Sequence, residues 1–163
     1  MATLLSLQEK SLLRLDPRLQ QGEMEVRVLF GTPDFAGWVR NVLPDLKSTR
    51  KLDITPLDQF DDLMISYCLG EELLIDAQFH ALRPIAKGVW ELKTPDLRIF
   101  GWFPCKDHFI AVAGHFADGV KKKRLYGAYV DQVVAFRDGL DLDPPKFLPG
   151  DDHNVVVSNC SFP

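Results

Sequence analysis

The chain has 163 residues, of which 46% are apolar and 26% charged, and its formal net charge is −4. Those values fit one soluble domain with a substantial core and room for a modest appendage, and they exclude an intrinsically disordered chain. They also exclude a protein coated all over in positive charge, so any nucleic-acid surface has to be local.

The first twenty residues carry Glu9, Lys10, Arg14 and Asp16 before any apolar run forms, which does not read as a secretory signal. No window reaches the roughly 18 uncharged residues that a membrane span requires. Cys68, Cys105 and Cys160 are odd in number and far apart, without CxxC spacing. They read as free thiols in a reducing cytoplasm.

Residues 1–22 read as an amphipathic arm in which Leu4, Leu5, Leu7, Leu12, Leu13 and Leu15 make a short helix ended by Pro17 and Gly22. Glu25–Phe30 (EVRVLF) alternates like a strand. Thr32, Pro33 and Asp34 then supply a helix start. From Phe35, the apolar residues Trp38, Val39, Val42, Leu43 and Leu46 recur at helical steps, with Pro44 as a possible kink. A second helix follows Thr55-Pro56 through Leu57, Phe60, Leu63, Met64 and Tyr67. Gly70–Ala81 fits either a third short helix or an irregular approach to a sheet.

After Pro84 the period changes. Val89–Leu92, Leu97–Phe103 and Phe109–Phe116 are three β-rich runs joined by turns so short that they predict an antiparallel meander. A last helix places Leu125, Tyr129, Val133 and Phe136 on one face and ends near Gly139. The tail from 141 is acidic and proline-rich, with Asn154–Ser158 (NVVVS) as an edge strand. It would cover the basic surface, inhibit internally or serve an unrelated docking role. The predicted architecture is α+β, a small antiparallel sheet with two or three helices packed on one face. Its parts are an arm over 1–22, a domain over 23–140 and a C-terminal extension over 141–163.

Within residues 82–138, Trp90-Glu91-Leu92-Lys93, Leu97-Arg98-Ile99-Phe100, Gly114-His115-Phe116, Lys121-Lys122-Lys123 and Ala135 follow one another at compatible spacing. This run resembles the core of the RelE/ParE toxin superfamily, especially its phage-associated HigB-like branch. The resemblance implies a RelE-like fold and a cytoplasmic toxin of a type II toxin–antitoxin system, partnered by a small DNA-binding antitoxin. It further implies a metal-independent, ribosome-associated mRNA endoribonuclease with no cofactor. There a ribose 2′-hydroxyl attacks the adjacent phosphate, and cations neutralise the phosphorane. The alternative is a non-catalytic interaction protein on the same fold, either a gyrase inhibitor or a phage-encoded regulator or decoy. Two departures stand beside the resemblance: the chain is acidic and longer than such toxins, and no functional residue aligns near its C-terminus.

Three residues carry the catalytic expectation. Arg98 is either a bidentate phosphate clamp or half of a cross-strand pair with Glu91. Lys93 closes the preceding strand beside it. His115 ends the third strand and is the proton carrier, because imidazole titrates near ~6.5. His80, His108 and His153 lack such a setting, and the four histidines show no ligand spacing, so no metal is expected. Nucleic-acid contacts are assigned to Lys87, to the run Lys121, Lys122, Lys123 and Arg124, and to Tyr126, which is displaced from the core face and available for stacking. The four cations sit at a predicted helix start, where they oppose the macrodipole and so imply another use; Asp118 is the expected cap.

Overall fold

The computed structural model describes residues 2–8 and 10–163; Met1 and Glu9, both inside the predicted N-terminal arm, lie outside the described residues. Instead of one helix, the arm makes a single turn, α1 (Leu4–Leu7), and a two-residue strand, β1 (Leu13–Arg14). β1 pairs antiparallel with β2 (Val28–Gly31). Thr32 then accepts the Phe35 amide at 3.1 Å and opens α2 (Pro33–Asn41), which gives way to a 3-10 turn around Pro44. Proline there has no amide to continue the ladder.

The clearest local code is at α3 (Pro56–Leu69). Thr55 Oγ1 accepts the Asp58 amide at 3.1 Å, Asp58 reaches back to the Thr55 amide, and Gly70 closes the helix in the left-handed region at φ +78°. Gly70–Ala81, left open between helix and irregular chain, holds two short strands, β3 (Leu73–Leu74) and β4 (Phe79–Ala81). The meander is as expected: β5 (Trp90–Lys93), β6 (Leu97–Cys105) and β7 (His108–Phe116) pair antiparallel. Two helices follow, α4 (Ala117–Lys122) and α5 (Tyr126–Gly139).

The tail departs from expectation. Asn154–Ser158 is not an edge strand, because Asp152 caps the Asn154 amide at 3.0 Å and starts one helical turn, α6 (His153–Val156). The pairing comes later, where β8 (Cys160–Ser161) lies parallel to β3.

The α+β class holds, with a six-stranded, mostly antiparallel sheet in the order β1-β2-β7-β6-β5-β4. One pair, β2 with β7, is parallel. The expected helices-on-one-face arrangement is corrected, because β6 buries both faces. Ile99 and Phe103 pack into a core with Phe35 and Phe60 of α2 and α3. Phe100 and Trp102 pack into a second core with Val130 and Val133 of α5. The tail joins this frame at the C-terminal end of α5, where Lys146 Nζ donates to the carbonyls of Arg137, Asp138 and Leu140. α5 is 14 residues long, about 20 Å, so this contact lies a helix length from the basic run. Among the described residues, no helix is long and apolar enough to cross a membrane.

Candidate functional site

Strand register decides which of the polar residues meet. Lys93 is the cross-strand partner of Arg98, and Arg98 is the partner of His115, so the three form one row across β5, β6 and β7. The next row is His80, Glu91, Phe100 and Ala113. Direct cross-strand partners point to the same face, here the face covered by α5. Arg98 and Glu91 are therefore diagonal neighbours and not a directly opposed pair.

The residues in these rows differ in exposure. Arg98 is buried, and its Nη1 donates to the carbonyls of Thr94 and Leu97 at 2.8 Å each. Its Nε has no hydrogen-bond partner. Lys93 Nζ donates to the Asp76 carbonyl at 2.8 Å and stands 3.9 Å from Glu91 Oε1. Burial pulls the Lys93 ammonium below its ordinary value; Glu91 pushes back, while Arg98 and Lys121 add to the fall. His115 is half-buried, with Nδ1 3.1 Å from the Phe116 carbonyl. Its ring lies against Gly119, where a Cβ would come within 2.5 Å of Cε1.

Sequence reasoning gave His80 no role and weighed Glu91 only as a partner of Arg98; the structure sets both beside Lys93. Glu91 has no exposed surface, and its Oε1 lies 2.9 Å from His80 Nε2. Neither carboxylate oxygen has a well-formed hydrogen bond. A buried carboxylate is costly to desolvate unless neighbouring groups balance it, and here the His80 ring and the Lys93 ammonium stand nearest. The alternation of β5, with Trp90 and Leu92 facing the other core, was the available signal that Glu91 shares a face with Arg98.

The nucleic-acid candidates separate. Tyr126 packs edge-on to Phe100 with ring centroids 5.9 Å apart. Burial raises its phenol above the ordinary value, Glu91 adding to the rise and Arg98 opposing it. The phenol is thus a polar neighbour of the two rows, not an exposed stacking face. Tyr129 stacks on Phe100 at 4.5 Å, as its core-facing position predicts. Lys87 lies before β5, at the opposite end of that strand from Lys93, and is 3.6 Å from Asp131 of α5.

The basic run lies where the sequence put it along the chain but not in the expected local structure. Lys121 and Lys122 form the last turn of α4, and Lys123 is its C-cap. Cations there complement the helix dipole, so the expected opposition is corrected. Asp118 is not the cap, because Phe116 holds that position; Asp118 accepts from Thr49 Oγ1 at 3.2 Å. All four cations are exposed.

Beside the β5–β6 turn an open depression of about 440 Å³ is lined by Arg50, Gln78, Lys93, Thr94 and Arg98, among others. The depression can seat an anion against Lys93 and Arg98; His115, at the end of the row, does not line it and borders a separate hollow with Trp38, Val42 and Leu46. No family model, curated protein or solved structure matches the chain.

Proposed function

We propose that the protein is a toxin-type endoribonuclease that cleaves mRNA without a metal at the row Lys93–Arg98–His115. The observation that carries this reading is the register, which sets two cations and an imidazole in one row on adjacent strands, the two cations lining an open depression. In the reaction the 2′-oxygen bonds to the adjacent phosphorus as the bond to the 5′-oxygen breaks. The products are a 2′,3′-cyclic phosphate and a 5′-hydroxyl. Lys93 and Arg98 neutralise the extra charge on the phosphorane, and His115 moves a proton.

Arg98 also holds two carbonyls of its own hairpin, so Arg98→Ala tests folding as much as chemistry. The more discriminating variant is His115→Gln, with an unchanged thermal midpoint as its control. Induced in a bacterial host, the wild type is expected to arrest growth and create new mRNA 5′ ends. His115→Gln is expected to reduce cleavage about a hundredfold. Equal cleavage by both proteins, or none by the wild type, would overturn the reading.

A second reading, a non-catalytic interaction protein, is favoured by the commitment of Arg98 Nη1 to Thr94 and Leu97. Intact messages with trapped gyrase–DNA complexes would select it.

A further inference from the structure

The segment between α2 and α3 has the sequence Lys47-Ser48-Thr49-Arg50-Lys51, and nothing in its periodicity ties it to the meander. The fold does so through one side chain. Thr49 donates its amide and its hydroxyl to Asp96 Oδ1 at 3.1 and 3.0 Å, and its hydroxyl also reaches Asp118 Oδ2 at 3.2 Å. Asp96 is itself buried, and its other oxygen accepts from Gln59 at 2.6 Å. The loop is therefore fastened at once to the β5–β6 turn and to the first turn of α4. Ser48 Oγ tightens it further by accepting the amides of Arg50 and Leu52 at 3.2 Å each.

This docking has an electrostatic result. Arg50 becomes a wall of the depression that Lys93 and Arg98 also line. Lys47, Arg50 and Lys51 are all exposed, as are Lys121 to Arg124, and Lys121 is near enough to Lys93 to act on its ammonium. Two of the nearby carboxylates, Asp96 and Asp118, are engaged by Thr49. A chain with net charge −4 thus brings Arg50 of the loop to the same opening as Lys93 and Arg98 of the meander. Exposed like charges repel one another, so none of this clustering stabilises the fold; it suits an extended polyanion.

We infer that the Lys47–Lys51 loop is the second wall of a single-stranded RNA channel, with Arg50 holding a phosphate next to the one at Lys93 and Arg98. This rests on the endoribonuclease reading for its ligand, but it assigns binding to residues outside the catalytic row. A single strand fits better than a duplex, because the opening is a depression of about 440 Å³ beside a hairpin turn. Its backbone supplies one charge per nucleotide for Arg50, Lys93 and Arg98 to meet.

The test uses the full chain and a fluorescent uridylate oligonucleotide, with anisotropy measured across a salt series. Replacing Lys47, Arg50 and Lys51 together by Gln removes three exposed charges and leaves Thr49 and its anchors intact. Affinity is expected to fall at least about tenfold, and the slope of log affinity against log salt to shrink by about 2, at about 0.7 per neutralised phosphate for single strands. Unchanged affinity and slope would overturn the inference while leaving the cleavage reading standing. Binding lost in the triple variant, with no cleavage by the wild type, would uphold the channel and defeat the catalytic reading. A poly-glutamate peptide that binds the wild type as tightly as RNA does, with the same loss in the variant, would assign the loop to an acidic protein and overturn the RNA assignment. No RNA binding by the wild type would overturn it as well.

Discussion

Glu91, with no exposed surface, meets Nε2 of His80 at 2.9 Å across the β4–β5 pairing. Lys93 stands 3.9 Å from the same oxygen, so one buried carboxylate organises a histidine and a lysine from two strands. Removing it leaves the Lys93 ammonium without its nearest carboxylate in a poorly solvated place. Glu91→Ala is expected to cost about 3 kcal/mol in urea unfolding. A cycle with Glu91→Gln and His80→Asn is expected to show about 1 kcal/mol of coupling, and additive effects would show that the contact carries no energy.

Asp96 predicts the acid limb of the stability curve. Burial alone would raise its carboxyl, but hydrogen bonds from Ser48, Gln59 and Thr49 outweigh this and hold it below the ordinary carboxylate value. The unfolded chain then binds more protons than the native one at low pH. The contribution is complete above the unfolded value, near ~3.9, and is lost as pH falls through the lower native value. Asp96→Asn is expected to flatten this limb below about pH 4 and to cost about 2 kcal/mol at neutral pH. Denaturant midpoints measured against pH would check both; an acid limb as steep as the wild type's would assign it to other groups.

Arg27 joins the C-terminal segment to the body. It is fully buried, and its guanidinium donates to the carbonyls of Tyr67, Glu71, Ser158 and Asn159, with Asp107 3.6 Å from Nε. Arg27→Met fills much of the volume but strands those acceptors. A loss of about 3 kcal/mol or more is expected, with amide exchange rising first around 157–161. A uniform rise across the protein would mean that Arg27 stabilises the fold without holding this segment in particular.

Two glycines give opposite expectations. At Gly101, beside the irregularity in the β6–β7 pairing, a Cβ would run into the Ile110 carbonyl and lie 2.8 Å from Phe109 Cζ. At Gly127, in the first turn of α5, it would meet nothing within 4 Å. Gly101→Ala is expected to lose about 3 kcal/mol, and Gly127→Ala to gain about 0.5 kcal/mol by reducing the freedom of the unfolded chain. Thermal midpoints moving in the same direction would contradict this geometry.

The parts legible in the sequence were those with a strong local code. Thr55-Pro56 with Asp58 specifies a helix start, and turns too short for a crossover force β5, β6 and β7 to pair antiparallel. The Lys93–Arg98–His115 row was half legible, since each residue was a candidate but only the register shows that they are neighbours. His80 was passed over because β4 has three residues, too few for a period, and its partner lies on another strand. The basic run was assigned to a helix start because the six-residue α4 carries no periodic signal of its own. Asn154–Ser158 misled because its run of valines has strand propensity, which the local Asp152 cap overrides. That the Lys47–Lys51 loop brings Arg50 beside Lys93 and Arg98 was invisible, since Asp96, which anchors it, reads as an ordinary turn residue.

The parallel pairing of β2 with β7 also bears on how the chain is made. β2 leaves the ribosome with two helices, two short strands and the whole meander still to come. Its hydrogen-bonding edge toward β7 stays open throughout that interval. The order of assembly is therefore imposed by connectivity: β7 must be present before β2 can be sealed into the sheet, and closing so long a loop slows folding. An open edge of this kind is also where nascent chains associate with one another. Expression at lower temperature or with chaperones should therefore raise the soluble yield more than any surface substitution, and a C-terminal truncation that removes β7 should accumulate as aggregate.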